Sequence, residues 1–584
     1  MNYRSSTVPG STGDARGPSL RSRVPSPWTA LAVASLVVPF LVAAVRIAAT
    51  SGHVFLSDDL ALVDLHVRDA LGFHQQLGPF DRFGWNHPGP VYFYLLSIPA
   101  RLIGSGAKAE FLGATLIDAA AALTTVWVVR RRCGERSALW CAGCLGLTCL
   151  VLVSTAPGAT TFSESPLGAL VSPWNPDVVI LPLLLFAALC AASVAGSSLS
   201  LLGATLVGSF CVQTNFATLP VVAAGLAAAL IGMAVRAVLS RRPDRSAPQL
   251  TQRGRHRKIA VASLGICVLL LVWVPTLSQQ LTGHPGNLTL IWRFFTESRP
   301  HLTLGTGLWS ILAVDGALVF GLAQEMSWVL GAPHTDALLV LAGVLVVGVL
   351  AFVTGWRHRS SFAAALGALS LLELAVCVLS VTRIVGPVYG YLVVWEIGMP
   401  VLALIGLGSA ALEATAPKAG RETPPEASVP RPQAGGAAAR ARRLGARTIV
   451  PAVIASVFGV ALTVQTAQLP ALTRASDPTV ALAWHLVAPR LHHSSEDIFL
   501  GDAGTDAYGL FTFFGLFDEL QASGFHPRVS PFWKTQVGPR YLSNGREQLQ
   551  VVLYPPSVAA TRMPGYVGHT AHADIVISPG PPAP

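Results

Sequence analysis

The sequence predicts an all-α polytopic membrane protein of about 11 to 13 transmembrane helices, with a small α/β domain outside the membrane at its C-terminal end. Three observations lead there. Of 584 residues, 52% are hydrophobic and only 12% charged, a balance foreign to a soluble multidomain enzyme. Mean hydropathy is +0.55, and apolar runs of about 20 residues recur along the chain, each able to cross about 30 Å of hydrocarbon. Beyond position 467 charges and aromatics appear among short strand-like runs. Disorder, collagen and disulfide scaffolds are excluded by this composition. The net charge of +10 does not call for nucleic acid, because the arginines lie in short stretches between apolar runs, as in cytoplasmic loops.

The polar segment 1 to 26 ends with Arg21 and Arg23 near the run Trp28 to Ala48, which is too long for a signal-peptide core and reads as an uncleaved first span entered from the cytoplasm. Further spans are expected at 110 to 130, 137 to 155, 176 to 195, 199 to 216, 218 to 240, 259 to 279, 336 to 356, 361 to 382, 389 to 411 and 446 to 466. Two apolar stretches, 89 to 104 and 307 to 331, are ambiguous. Basic clusters at Arg130 to Arg136, Arg236 to Lys258, Arg357 to Arg359 and Lys418 to Arg447 all become cytoplasmic only if neither stretch crosses fully. That reading gives eleven crossings, with both stretches re-entrant or against the outer face and the C-terminus outside. The transmembrane domain thus spans 27 to 466, interrupted by a low-complexity cytoplasmic linker at 413 to 447. The remainder, 467 to 584, carries strand-like runs at Asp497 to Leu500 and Gln548 to Leu553, and a helical pattern through Leu510, Phe511, Phe514, Phe517 and Leu520. All eight cysteines lie in or beside apolar runs, so the Cys141 and Cys144 pair reads as packing rather than redox or zinc chemistry.

Polar chemistry concentrates in the first outer loop, 51 to 88. Ser57, Asp58 and Asp59 open a helical pattern whose Leu60, Val63, Val67 and Leu71 share one face, which predicts a helix along the membrane surface. Two readings of the acidic pair stand side by side: a helix cap favoured by the dipole, or a general base beside a second carboxylate that holds a metal or orients substrate. Helix N-terminal placement would favour the ionised state. Asp64 and Arg68 are i,i+4 partners worth a few tenths of a kcal/mol. The loop closes with Trp85, Asn86, His87, Pro88, Gly89 and Pro90, a rigid turn at the mouth of an aromatic-rich helix.

These features resemble the C-type (GT-C) membrane glycosyltransferases, the superfamily of protein mannosyltransferases and aminoarabinose transferases. The residues that carry the likeness are Asp58 and Asp59, the His87-Pro88 turn before an apolar helix, and the later Arg130, Arg131 and Gly134. It covers about residues 27 to 150, departing where His87-Pro88-Gly89-Pro90 replaces a double proline and where Asp59 stands in place of Glu. The resemblance implies a polyprenyl-phosphate-linked sugar as donor and inverting transfer to a glycan, lipid or protein acceptor of the cell envelope, in cell wall biogenesis at the outer face of a bacterial plasma membrane. Asp58 or Asp59 would be the base. The leaving phosphate would meet Arg68, Arg82, Arg293 or Arg383, or a divalent metal (Mg or Mn) held by Asp58 and Asp59. Asn86 and His87 would bond sugar hydroxyls.

Weaker substrate-contact candidates are Trp174 and Asn175, in a Pro-Trp-Asn-Pro turn that also starts a helix, and Gln213 and Asn215, which interrupt an apolar run and serve interhelical hydrogen bonding equally well. Trp533, Tyr541, Tyr554 and Tyr566 are the candidate stacking aromatics of the C-terminal domain for an acceptor polysaccharide, although in a small domain such aromatics are more often core. A polytopic transporter or lipid-linked sugar flippase shares this hydropathy, and Glu373 inside a span speaks for it. A noncatalytic envelope-assembly protein is the third reading; it would make Asp58 and Asp59 replaceable.

Overall fold

The computed structural model describes residues 26–153, 167–239, 252–297, 299–320, 337–415, 434–491 and 497–580. The tail 1 to 25, Glu164 and most of the linker at 413 to 447 therefore fall outside the described residues. Among the described residues, fifteen α-helices precede the C-terminal region: α1 (Pro27–Ala48), α2 (Asp58–Leu71), α3 (Val91–Ile103), α4 (Ala107–Cys133), α5 (Glu135–Val153), α6 (Ile180–Val194), α7 (Ser198–Thr214), α8 (Leu219–Leu239), α9 (Gln252–Thr282), α10 (Asn287–Thr296), α11 (Leu304–Phe320), α12 (Ala337–Arg357), α13 (Ser361–Val381), α14 (Gly398–Ala414) and α15 (Ala434–Ala467). Eight helices among the described residues are long and apolar enough to cross a membrane, and α6, α7 and α12 are shorter apolar helices. Each of the eleven expected spans coincides with one of these. The chain is a polytopic helical membrane protein with a C-terminal sheet region.

Local chemistry accounts for the boundaries. Ser26 accepts a hydrogen bond from Thr29 N at 3.2 Å and Pro27 opens α1, where its missing N–H costs nothing. Gly134, at φ +87°, turns the chain between α4 and α5 in a conformation that only glycine adopts readily. The ambiguous stretch 89 to 104 becomes α3, whose 13 residues rise only about 20 Å, short of a full crossing. The start of the second ambiguous stretch, in α11, lies beside the end of α13, where Leu302 N donates to Thr382 O at 3.0 Å; residues 321 to 331 lie outside the described residues.

The connections sort to two ends of the bundle. At one, Arg130 Nε donates to Thr29 Oγ1 at 3.0 Å, Arg132 Nη1 donates to Ala195 O at 3.4 Å, and the Arg236 guanidinium lies against Gly196. The α1–α2, α5–α6, α7–α8, α9–α11 and α13–α14 connections meet at the other end, around a cavity. Arginine clusters at 130 to 136 and at 236 thus share the end opposite the acidic loop.

After α15 come α16 (Pro478–Val487), α17 (Ala507–Ala522), a short α18 (Lys534–Val537) and a five-stranded sheet. A small hairpin, β1 (Phe80–Asp81) and β2 (Trp85–Asn86), belongs to the first loop, so the sheet strands are β3 (Asp497–Asp502), β4 (His526–Arg528), β5 (Leu549–Tyr554), β6 (Tyr566–His569) and β7 (Asp574–Pro579). Their order is β4-β3-β5-β7-β6, with β3 parallel to β4 and β5, and β7 antiparallel to β5 and β6. The expected strands and helix appear as β3, β5 and α17. Trp533 and Tyr541 are corrected: both are buried, Trp533 between Phe513 and Phe514 and Tyr541 with its hydroxyl donating to Asp69, so neither is a stacking surface. Tyr554 and Tyr566 are half-buried.

Helix α2 also departs from expectation. Ten of its 14 residues are buried, because α3 and α4 cover one side and α17 with α18 the other. It is an internal strut, with no face left for lipid. Arg68, its side chain only 10% exposed, bridges Asp64 on its own helix and Asp518 on α17. Burial alone would lower the Arg68 pKa, but the carboxylates of Asp518, Asp64 and Glu110 hold it above its ordinary value. His66 Nε2 meets Gln536 O at 2.9 Å, Asp69 pairs with Arg540 at 3.0 Å, and Asn86 Nδ2 donates to Thr535 O at 3.0 Å. The C-terminal region is sutured to the acidic loop. Removing residues 470 to 584 would strip partners from buried charges, so such a truncation reports on folding as well as on ligand use.

Candidate active site

The cavity at the loop end has a volume of about 620 Å³. The start of α2 supplies Asp58 and Asp59, the β1–β2 hairpin Phe80 to Phe83 and Trp85, and the turn before α3 His87. Trp174 and Asn175 come from the α6 approach, Asn215 and Phe216 from the α7–α8 turn, and Ile291, Trp292, Phe294 and Phe295 from α10. Arg383, Tyr391 and Trp395 lie between α13 and α14, and Phe511 reaches in from α17.

At the acidic pair Ser57 does not cap the helix. Its side chain makes no cap hydrogen bond, and Asp58 sits at φ +49°, a left-handed conformation that is strained for an aspartate inside a helix's first turn. Trp174 Nε1 donates to Asp59 Oδ2 at 2.8 Å and fixes its orientation. Both carboxyls are pushed up: Asp58 well above the carboxylate range, by burial and then by the neighbouring Asp59, and Asp59 by burial against the opposing pull of the Trp174 bond. Desolvation therefore acts against the ionised state that helix N-terminal placement was expected to favour.

Across the cavity, Arg82 donates to Tyr391 Oη at 3.3 Å and to Val385 O at 3.2 Å and lies 4.9 Å from the ring centroids of both Phe83 and Tyr389. Two aromatic rings and two acceptors hold an exposed guanidinium in place. Arg383 is also exposed and meets His301 Nε2 at 3.3 Å. Asp81, at the end of β1 and next to Arg82, accepts from Phe83 N at 2.9 Å, and burial raises its pKa to about 6. The wall is aromatic, with Phe83, Trp85 and Phe216 packed against Phe294 and Phe295 at centroid distances of 4.8 to 6.2 Å.

Of the candidates from sequence, Asp58, Asp59, Arg82, His87, Trp174, Asn175, Asn215 and Arg383 line this one cavity. His87 Nδ1 accepts from Phe216 N at 3.0 Å, and burial lowers its pKa to about 3, so it is a neutral spacer at physiological pH. Four candidates do not line it. Arg68 is consumed by the ion pairs with Asp64 and Asp518. Asn86 is buried between Asn287 and Thr535, its N donating to Asn287 Oδ1 at 2.8 Å. Gln213 is fully buried, its Nε2 donating to Ser209 Oγ at 3.2 Å. Arg293 is exposed on α10, where its neighbours Trp292 and Phe294 turn to the cavity instead.

Sequence reasoning missed Asp81, the Phe294–Phe295 wall, Tyr391, Trp395 and Phe511. The alternation of Phe80, Asp81 and Arg82 around Gly84 was the available signal for the hairpin; nothing local announced Phe511, which is more than 400 positions away.

No family model matches the sequence, and no curated protein matches it. Among solved structures, the chain is similar to ArnT from Cupriavidus metallidurans bound to undecaprenyl phosphate, at 16% identity and a TM-score of 0.46, covering 95% of this chain and 98% of that one. The apo state of the same ArnT gives 15% identity, a TM-score of 0.47 and coverage of 94% and 97%. The Archaeoglobus fulgidus oligosaccharyltransferase in its apo form gives 12%, 0.37, 86% and 65%. These likenesses concern the course of the chain, and the chemistry is read from the cavity's own residues.

Proposed function

We propose that this chain is an inverting membrane glycosyltransferase that moves a sugar from a polyprenyl-phosphate donor to a cell-envelope acceptor at the outer face of a bacterial plasma membrane. One observation carries the reading: a single cavity joins a half-buried carboxylate pair, its first member at φ +49°, to two exposed arginines across an aromatic wall. Asp58 or Asp59 takes the proton from the acceptor hydroxyl as that oxygen attacks the anomeric carbon. Arg82 and Arg383 stabilise the charge that develops on the departing lipid phosphate. The aromatic wall excludes water and gives sugar faces and the first prenyl carbons an apolar surface. The basic loops opposite the cavity support a cytoplasmic N-terminus and an outer C-terminal region.

Asp58 and Asp59 are the residues that would hold a divalent metal. Among the described residues no group of three His, Cys, Asp or Glu side chains is placed to hold a metal, and two carboxylates suit Mg²⁺, which takes its remaining ligands from phosphate and water. When bound, such an ion would neutralise the leaving phosphate.

The test is transfer of labelled sugar from synthetic polyprenyl-phosphate sugars to crude envelope acceptor by purified protein in lipid. Turnover by wild type and none by the Asp58→Asn/Asp59→Asn double variant is the expected result; turnover by both would remove the base. Arg82→Gln should raise the donor KM about tenfold, the scale of one lost charge-assisted hydrogen bond. The donor KM should also rise with pH through about 6, where Asp81 ionises beside Arg82 and competes with phosphate. In Asp81→Asn that pH dependence should vanish.

A carrier remains the second reading because Glu373, within α13, is buried and neither carboxylate oxygen has a hydrogen-bond partner. It does not line the cavity. Glu373→Gln should leave sugar transfer within about twofold, as expected for a substitution remote from the reacting groups, whereas a proton-coupled carrier would lose transport.

A further inference from the structure

Four of the C-terminal region's large aromatics, Phe513, Phe517, Trp533 and Tyr541, pack inward. Tyr508, in the first turn of α17, is different: its side chain is 61% exposed although the ring is held from two sides. The His572 ring lies 4.8 Å away at 30°, nearly stacked, and Phe511 meets the Tyr508 edge at 5.6 Å and 76°. His572 is fixed in turn, its Nδ1 at 3.1 Å from Asp506 Oδ2. Asp506 also caps α17 by accepting from Gly509 N at 2.8 Å, and that bond, with His572, keeps its carboxyl below the ordinary range.

Sheet topology points to the same place. The chain leaves β3 through α17 to β4 on one side, while β5 lies on the other, so the carboxyl end of β3 is where neighbouring connections part and a crevice opens. Asp506 and Tyr508 follow β3 directly, and His572 precedes β7, whose Asp574 pairs with Tyr554 at the end of β5. One helical turn beyond Tyr508, Phe511 lines the cavity that holds Asp58 and Asp59. An aromatic path therefore runs from the strand-end crevice into the cavity.

We propose that Tyr508, flanked by His572 and leading to Phe511, is a subsite for the acceptor saccharide. This rests on the reading of the cavity as a sugar-transfer site. A pyranose or furanose ring presents a C–H face that packs on the face of Tyr508 that His572 leaves open. The next sugar then passes over Phe511, with its hydroxyl directed to the carboxylate pair. Local structure alone explains the Asp506 cap, but not an ordered tyrosine kept in water on the path to the cavity.

The experiment uses the full chain in lipid nanodiscs and fluorescently labelled gluco-, galacto-, manno- and arabino-oligosaccharides of four to six sugars, with binding read by anisotropy. At least one series should bind wild type, Tyr508→Phe should bind equally, and Tyr508→Ala should weaken binding about tenfold or more. Under turnover, Tyr508→Ala should raise the acceptor KM by the same factor and leave the donor KM unchanged. Equal binding by Tyr508→Ala and wild type, or no binding of any series by wild type at millimolar concentration, overturns the subsite. Binding needs no catalysis, so a chain that binds saccharide but transfers no sugar would sink the proposed reaction and leave the subsite standing.

Discussion

Replacing Asp58 and Asp59 together by asparagine should abolish sugar transfer while leaving the protein folded in the membrane. General-base catalysis typically contributes about 10²- to 10⁴-fold, and either single variant should lose an amount in that range if its carboxylate is the base. Stability should move the other way. Both carboxyls have pKa values raised by burial, so relative to the unfolded chain they favour folding only while protonated; this contribution is complete below the unfolded pKa and is lost as pH rises through the raised values. At neutral pH the asparagines therefore remove a desolvation cost, and the thermal midpoint of the double variant in detergent should equal or exceed that of wild type. An unstable double variant would mean that the pair holds the fold together and would count against a functional strain at Asp58. A stable, inactive one is the signature of residues kept for chemistry at the expense of stability.

Arg68→Ala should produce the opposite pattern. Its guanidinium bridges Asp64 and Asp518 in a buried site with Glu110 close by, and removing one partner of a buried pair costs about 3–5 kcal/mol because the carboxylates stay behind uncompensated. The expected outcome is a large fall in thermal midpoint, together with protease cleavage near the junction of α15 and the C-terminal region. Because α2 carries Asp58 at its first position and Arg68 in its last turn, transfer should fall as well. Substituting Arg68→Met with Asp64→Leu and Asp518→Leu removes charge from both sides and should recover much of the midpoint. An Arg68→Ala variant as stable as wild type would show that the bridge contributes nothing to docking.

The division between what could be read early and what could not follows from the range of each interaction. Hydropathy is a property of local runs, so all eleven expected spans reappear as helices, and the basic clusters at 130 to 136 and 236 already marked one end of the bundle. Asp58, Asp59 and His87 were visible because they lie within one 38-residue loop, 51 to 88, between apolar runs. Periodicity gave α2 its helical character but misjudged its surroundings. A stripe of Leu60, Val63 and Val67 looks the same whether lipid or another protein segment covers it, and here α17 and α18 cover the polar side.

Charge state and neighbourhood were decided only by the tertiary structure. Arg68 and Arg82 are equivalent as residue types fourteen positions apart, yet one is spent on Asp518, some 450 positions away, and the other stands open over Phe83 and Tyr389. Similarly, the helix dipole predicted ionised aspartates, while burial among segments brought together by the fold raises both carboxyls, and Trp174, from a distant loop, opposes it at Asp59. The sequence by itself determined which segments form long apolar helices and which loop carries the acids, because hydropathy depends on consecutive residues. Only the folded chain decided which arginines face the acids and which aromatics surround them, since those distances are set by packing between segments hundreds of residues apart.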